Sequence, residues 1–196
     1  MEYLVTMTTH VPEGTPEALV ADIRAREAAH SRDLANRRHL LRLWRPPLLP
    51  GEWRSLGLFA ASDDAGLERV LESMPLRIWR TDEVTPLSPR PNDPNLPAKP
   101  GAREFLTTFT VSVPAGTPAN LVHDAETLEA QRATELAGQG HLLRLWGLPG
   151  AARSLGLWRS RDAHEMQAIL ESLPLDAWMT VETTPLTTHP NDPALA

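Results

Sequence analysis

The strongest constraint on this chain is an internal repeat. Segments of the first half return in the same order in the second half, and each copy closes on a Pro-Asn-Asp-Pro sequence. Copies of about 90 residues are long enough to be domains, unlike the shorter units of solenoids. The chain is therefore predicted to be a tandem duplication. The matching segments are 39–44 with 141–146, 54–58 with 153–157, 71–76 with 170–175, and 91–94 with 190–193.

The matches set the predicted domain boundaries. The first repeat covers residues 1–88 and the second covers residues 104–196. Residues 89–103 between them are rich in proline, and such segments are extended and fairly stiff. This stretch is predicted to be a linker.

Each copy has the pattern strand, helix, strand, strand, helix, strand. The first copy has strands at 3–9, 39–45, 53–60 and 79–87 and helices at 16–36 and 63–73, with Thr15 and Asp63 as the expected N-caps. This βαββαβ order predicts an α+β, ferredoxin-like fold with an antiparallel sheet and both helices on one face. The other face needs a cover, and the second copy is the simplest one. We therefore expect a covalent pseudo-dimer, with separate domains as the alternative.

Composition excludes several classes of function. The chain contains no cysteine, which excludes disulfides, thiolate catalysis and iron–sulfur clusters. Its net charge of −6 and lack of a basic block argue against nucleic-acid binding. No apolar run reaches the length of a membrane helix, and the first residues do not resemble a signal peptide. We expect a cytoplasmic protein that acts on a small molecule without a membrane partner.

A glutamate on the apolar side of the first helix is the leading catalytic candidate. At 3.6 residues per turn, one stripe contains Leu19, Ile23, Glu27, His30 and Leu34. Glu129 holds the place of Glu27 in the second copy. Burial raises the pKa of a carboxyl toward the range in which a general base works near neutral pH. The alternative is a glutamate at the edge of the stripe that pairs with an arginine.

Two arginines alternate with leucine in the repeated Leu-Arg-Leu-Trp strands. Arg42 and Arg144 each share a strand face with a tryptophan, Trp44 and Trp146 respectively. A cation on an apolar face needs an anionic partner, which is either a ligand carboxylate or enolate or the helix glutamate. Arg45 extends the first strand, whereas the second copy has glycine at that position.

Tryptophan and histidine supply the remaining candidates. The paired tryptophans Trp44 and Trp146 either wall an apolar pocket or pack in the core. His39 and His141 begin equivalent strands, where they are either exposed or act as proton shuttles. No histidine pair has metal-ligand spacing, so no metal is predicted. The Asn-Asp-Pro tails are typical of turns, and the alternative is that each tail folds over a neighbouring pocket.

Taken in order, these motifs resemble the muconolactone delta-isomerase family, including its chloromuconolactone dehalogenases. The resemblance rests on Glu27 in a long helix, the Leu43-Trp44-Arg45 strand, a following Ser-x-Gly-Leu strand, and Leu-x-x-x-Pro-Leu before the last strand. It extends over nearly all of both copies, with Leu145-Trp146 matching in the second.

The resemblance implies a fold, a reaction and site residues. It implies ferredoxin-like subunits that pair through their sheets and assemble further into rings. It implies a cofactor-free isomerase that moves a proton to shift the double bond of a butenolide lactone. The carboxylates of Glu27 and Glu129 would transfer the proton. Arg42, Arg45 and Arg144 would hold the substrate carboxylate or the enolate charge. The residues themselves, apart from the resemblance, add His30, His39, His141, Trp44 and Trp146 as candidates for substrate binding.

The sequence also departs from the family. Family members usually carry one copy per chain, and Gly147 stands where the first copy has Arg45. These differences predict either one working site or a changed substrate. Two alternatives therefore stay open, namely a non-catalytic binder of a small hydrophobic acid and a cofactor-independent oxygenase or dehalogenase on the same scaffold.

Overall fold

The computed structural model describes residues 1–97 and 103–195, which form two units. The first unit contains Met1–Leu87 and Thr187–Ala196, and the second contains Ser88–Leu186. Each unit therefore combines the body of one repeat with the tail that follows the other. The predicted division at residues 88 and 104 follows the repeats in sequence, whereas the units exchange their tails.

The first unit has the predicted order of elements. The elements are β1 (Glu2–Thr9), α1 (Glu17–Asn36), β2 (Leu40–Arg45), β3 (Arg54–Ala60), α2 (Asp64–Glu72), a 3-10 helix (Pro75–Trp79) and β4 (Arg80–Pro89). The four strands form an antiparallel sheet in the order β4-β1-β3-β2.

The second unit repeats this arrangement. The elements are β5 (Arg103–Val111), α3 (Ala119–Gly138), β6 (Leu142–Gly147), β7 (Arg153–Ser160), α4 (Ala163–Glu171), a 3-10 helix (Asp176–Trp178) and β8 (Met179–Thr188). The strand order is β8-β5-β7-β6, and all three pairings are antiparallel.

Both helices of the first unit pack on one face of its sheet. Buried and partly exposed residues alternate along β1, which turns Tyr3, Val5 and Met7 toward the core. These three side chains share one hydrophobic cluster with Leu34 of α1 and Leu71 of α2. The predicted α+β, ferredoxin-like fold is therefore confirmed. Pairing of the two copies through their sheets, and further assembly, remain predictions.

The helix starts differ in one respect from the prediction. Asp63 caps α2 as expected, because its carboxylate accepts a hydrogen bond from the Gly66 N–H at 2.6 Å. Thr15 was expected to cap α1, but Pro16 holds that position and makes no side-chain cap. The Thr15 hydroxyl instead donates to the Pro12 carbonyl at 2.6 Å, which closes the turn before the helix.

The tail of the second repeat completes the first unit. Thr187 and Thr188 pair with Arg45 and Trp44 along the edge of β2 that does not pair with β3. The His189 N–H donates to the Leu43 carbonyl at 3.1 Å. Asp192 then forms an ion pair with Arg42 at 3.0 Å and accepts a hydrogen bond from the Leu43 N–H at 3.2 Å. The Asp192 side chain is 0% exposed.

The proline-rich segment completes the second unit in the same way. Ser88 and Pro89 pair with Gly147 and Trp146 along β6. Asp93 forms an ion pair with Arg144 at 3.0 Å and accepts from the Leu145 N–H at 2.9 Å. The described part of the predicted linker is thus bound along β6 rather than free, and the rest of it, residues 98–102, lies outside the described residues. None of the described helices is long and apolar enough to cross a membrane.

We expect Asp192→Ala to lower the free energy of unfolding by about 3 kcal/mol, because it removes the buried carboxylate that pairs with the Arg42 guanidinium. Asp93→Ala, the matched variant, should cost less because the Asp93 side chain is 13% exposed. Urea unfolding followed by tryptophan fluorescence measures both. Equal unfolding midpoints for Asp192→Ala and the unmodified chain would contradict this role.

Candidate active site

A cavity of about 300 Å³ lies in the first unit beneath α1. It brings together acidic, basic and aromatic side chains from α1, from the strands and from the tail of the second repeat. Such a volume suits a small organic molecule. The lining includes Arg24, Glu27, Ser31, Arg45, Trp53, Ser55, Leu76, Arg80, His189 and Asn191.

Glu27 is the buried acid of this cavity. The side chain projects from the middle of α1 on the same stripe as Ile23 and Leu34, and the residue is 8% exposed. One carboxylate oxygen, Oε2, accepts a hydrogen bond from the Leu76 N–H at 2.9 Å. The other oxygen, Oε1, lies 3.3 Å from the Arg80 guanidinium.

Burial raises the pKa of Glu27 above its ordinary value. The Leu76 hydrogen bond and the Arg80 charge both lower this pKa, but removal from water has the larger effect. Glu27 therefore combines the two arrangements considered from the sequence, a buried carboxyl and an arginine pair. Because its pKa is raised toward neutral pH, the Glu27 carboxyl is better suited to exchange a proton at that pH than an exposed glutamate is.

Arg80 is held in place by a second carboxylate. Asp82 accepts two hydrogen bonds from it, at 2.6 Å from Nε and 2.9 Å from Nη2, and Arg77 contacts the Oδ2 atom of Asp82 at 2.8 Å. The side chains of Arg80 and Asp82 are almost fully buried. This fork fixes the guanidinium plane and leaves Nη1 directed at Glu27.

Two further arginines line the cavity. The Arg24 guanidinium stacks over the Trp53 ring, with its carbon 5.3 Å from the ring centroid. Arg45 stands at the exposed end of β2. Burial, with the nearby Arg45 charge, lowers the pKa of His189 to about 4, so this histidine is neutral at physiological pH. The cavity thus offers positive charge around one buried acid.

Several residues predicted for the site lie outside this cavity. Arg42 is engaged by Asp192, with its guanidinium carbon 4.7 Å from the centroid of the fully buried Trp44 ring. His30 shares a hydrogen bond of 2.8 Å with the Ser73 hydroxyl. His39 bonds through Nδ1 to the Ala60 carbonyl at 3.1 Å. The lining of the cavity does not include these side chains, so they are not part of the proposed site.

The second unit has its own cavity, of about 410 Å³, beneath α3. Glu129 lines it and accepts a hydrogen bond from the Leu175 N–H at 3.0 Å, which matches the contact of Glu27 with Leu76. Burial raises the pKa of Glu129 as well. Most of the remaining lining is apolar.

The other predicted residues of the second unit are engaged elsewhere. Arg144 pairs with Asp93, and its guanidinium carbon lies 4.5 Å from the centroid of the buried Trp146 ring. His141 bonds through Nδ1 to the Arg159 carbonyl at 3.0 Å. Within the described part of the chain, no group of three or more histidine, aspartate or glutamate side chains is placed to hold a metal ion.

The sequence reading missed Arg24, Arg80, Trp53 and His189. Three of these residues differ between the two copies, and that difference could have identified them. Glu126 replaces Arg24, Met179 replaces Arg80 and Ala152 replaces Trp53 at equivalent positions. Changes of this kind around a shared glutamate indicate a cavity wall. A tail folded over a neighbouring pocket was only the alternative prediction, because an Asn-Asp-Pro sequence is typical of a simple turn.

Comparison with known proteins agrees with the repeat. The family model for muconolactone delta-isomerase matches residues 1–93 and 103–192. The chain is 32% identical over 92 residues to muconolactone delta-isomerase 1 of Acinetobacter lwoffii. This match covers 47% of this chain and 93% of that protein. The chain is also 32% identical to the muconolactone delta-isomerase of Cupriavidus pinatubonensis, over 47% of this chain and 97% of that protein.

Solved structures resemble the whole chain in fold. A haem-binding protein from Thermus thermophilus matches 97% of this chain and 93% of its own, with a TM-score of 0.62 and 12% identity. A mutant chlorite dismutase from Candidatus Nitrospira defluvii matches 97% and 92%, with a TM-score of 0.66 and 10% identity. At such identities the likeness concerns the fold alone.

The raised pKa of Glu129 has a consequence for stability. As pH rises, the carboxyl loses its proton first in the unfolded chain, so the folded state loses stability from the ordinary glutamate pKa up to the raised one. Glu129→Gln removes this cost and keeps an acceptor for the Leu175 N–H. We expect its stability relative to the unmodified chain to be greater at about pH 7 than at about pH 4.

Urea unfolding of both proteins at the two pH values measures this difference. Glu171→Gln, at an exposed position, controls for the loss of one negative charge. A relative stability of Glu129→Gln that falls between about pH 4 and about pH 7 would contradict the expectation.

Proposed function

The chain belongs to the muconolactone delta-isomerase family, a family of isomerases, and from this premise we propose that its first cavity shifts a carbon–carbon double bond in an unsaturated lactone that carries a carboxylate. The observation that carries the proposal is the buried Glu27 carboxyl in a cavity of about 300 Å³ that is also lined by Arg24, Arg45 and Arg80. An acid–base group beside fixed positive charge suits proton transfer next to a carbonyl.

The proposed reaction moves one proton. Glu27 takes the proton from the carbon at the far end of the conjugated system, and the electrons of that C–H bond form a dienolate. The same carboxyl then delivers a proton to the carbon next to the carbonyl. The double bond shifts and no atom is gained or lost, so the proposal involves no cofactor.

The surroundings of Glu27 support this role. The Leu76 N–H holds Oε2 and fixes the plane of the carboxyl, which leaves Oε1 to exchange the proton. The pKa of Glu27, raised by burial, lies nearer that of an effective base at neutral pH. A carboxyl held by the backbone also needs little reorganisation during the reaction.

The arginines divide into two roles in this proposal. Arg80 is held by Asp82 and faces Glu27, so it is placed to balance negative charge as the proton moves. Arg45 and Arg24 also line the cavity, and among the described residues neither pairs with a carboxylate, so a substrate carboxylate would give them an anionic partner. The neutral His189 adds a polar group to the wall without further charge.

We expect Glu27→Gln to lower kcat at least about 100-fold, because the amide cannot exchange the proton. The assay is proton–deuterium exchange by NMR in heavy water with muconolactone as substrate, in which deuterium enters next to the carbonyl. Glu83→Gln, at an exposed position of β4, is the matched control and should keep normal turnover.

The equivalent variant Glu129→Gln should lower turnover of this anionic substrate far less than Glu27→Gln does, because the second copy lacks the matching arginines. Normal exchange by Glu27→Gln would refute the assignment. Binding of the lactone with no exchange by the unmodified chain would favour the non-catalytic binder instead.

Arg45→Leu should raise KM at least about tenfold and change kcat less, because a charge-assisted hydrogen bond to the substrate carboxylate contributes about 1.5–3 kcal/mol to binding. Steady-state kinetics with the same lactone separates the two constants. An unchanged KM would remove Arg45 from the substrate site.

A further inference from the structure

The cavity of the second unit differs from the first in size and in the chemistry of its wall. It is larger, at about 410 Å³ against about 300 Å³. Its lining is rich in aromatic and aliphatic side chains, among them Phe109, Leu142, Leu145, Trp158 and Met179. Contact between such a surface and the apolar parts of a ligand stabilises the complex. The same surface offers no favourable interaction to a charged group.

The cations of the first cavity have been replaced in the second. Glu126 takes the position of Arg24, Gly147 that of Arg45, and Met179 that of Arg80. Asp82 holds Arg80 in the first unit, and the second copy has Val181 at the equivalent position. The whole buried arginine–aspartate arrangement beside the catalytic candidate is therefore apolar in the second copy.

These replacements reverse the charge of the wall. Among the described lining residues of the second cavity, the charged side chains are Glu126, Glu129 and Arg90. The Arg90 guanidinium also donates a hydrogen bond to the Ser154 hydroxyl. A carboxylate ligand would meet two carboxyl side chains there, so the wall disfavours the anion that the first cavity suits.

The second cavity nevertheless keeps groups that bind a polar atom. The Glu129 carboxyl remains in place through the Leu175 N–H, and the Arg90–Ser154 pair and Asn92 line the same space. A few polar groups in a largely apolar cavity are typical of a site that orients a neutral ligand.

We propose that this cavity is a separate binding site for an uncharged, largely apolar carbonyl compound, whose carbonyl oxygen accepts a hydrogen bond from the Arg90–Ser154 pair. The two copies would then divide the ligands by charge, the first taking an anion and the second a neutral molecule. The assignment rests on the wall of the second cavity and does not depend on turnover in the first.

Two probes of the same ring test the charge preference. Muconolactone is an anion at neutral pH, whereas its butyl ester is uncharged and carries an added apolar chain. The indole N–H of Trp158, which donates to Thr107 at 2.7 Å, reports on the second cavity in ¹H–¹⁵N NMR spectra. The indole of Trp53 reports on the first cavity.

We expect the ester to shift the Trp158 signal at concentrations that leave Trp53 unchanged, and the acid not to shift Trp158. Met179→Arg, which restores the cation of the first cavity beside Glu129, should weaken ester binding at least tenfold. Ala130→Trp, at an exposed position of α3 in the lining, should weaken it similarly by narrowing the cavity, and it decides the question if Met179→Arg does not fold.

Three results would overturn the proposal. These are no shift of Trp158 up to the solubility limit of the ester, an equal shift of Trp158 by the acid, or unaltered ester binding by Ala130→Trp. Deuterium exchange into muconolactone is measured separately. Its absence would count against the proposed reaction of the first cavity and leave this assignment standing.

Discussion

The buried pair of Asp192 and Arg42, and its counterpart Asp93 and Arg144, is the interaction on which both units depend. A carboxylate removed from water is stable only beside a cation and hydrogen-bond donors, and each aspartate finds both on the strand that it joins. The aspartates therefore hold each tail along the edge strand of the other repeat. That attachment brings His189 to the wall of the first cavity and Arg90 to the wall of the second.

A second constraint is the backbone contact shared by Glu27 and Glu129. In both units the N–H of a leucine just after the second helix, Leu76 or Leu175, fixes one carboxylate oxygen. Burial raises the pKa of both glutamates, although the charged groups near them differ between the two units. Both copies keep this acid and its anchor, whereas the wall around it is cationic in the first unit and largely apolar in the second.

The sequence predicted much of the fold and part of the site. Periodicity placed Glu27 on the buried stripe of α1 together with Ile23 and Leu34, because a helix must turn its apolar residues toward the sheet. The same stripe placed His30 in the core, but its ring bonds to Ser73 instead. The role of Arg80 could not be predicted from the sequence, because a single arginine in a strand forms no periodic pattern. Only the β4 register and the Asp82 contact reveal that it faces Glu27.

The sequence by itself determined the duplication, the βαββαβ order and the buried position of Glu27 on α1, since repeats and hydrophobic period can be read along the chain. Only the tertiary structure decided which anion meets which cation. Arg42 and Arg144 needed a partner, and the sequence offered the helix glutamate or a ligand. The partner is an aspartate about 150 residues away for Arg42 and about 50 for Arg144, because ion pairing depends on distance in space and carries no signature in sequence.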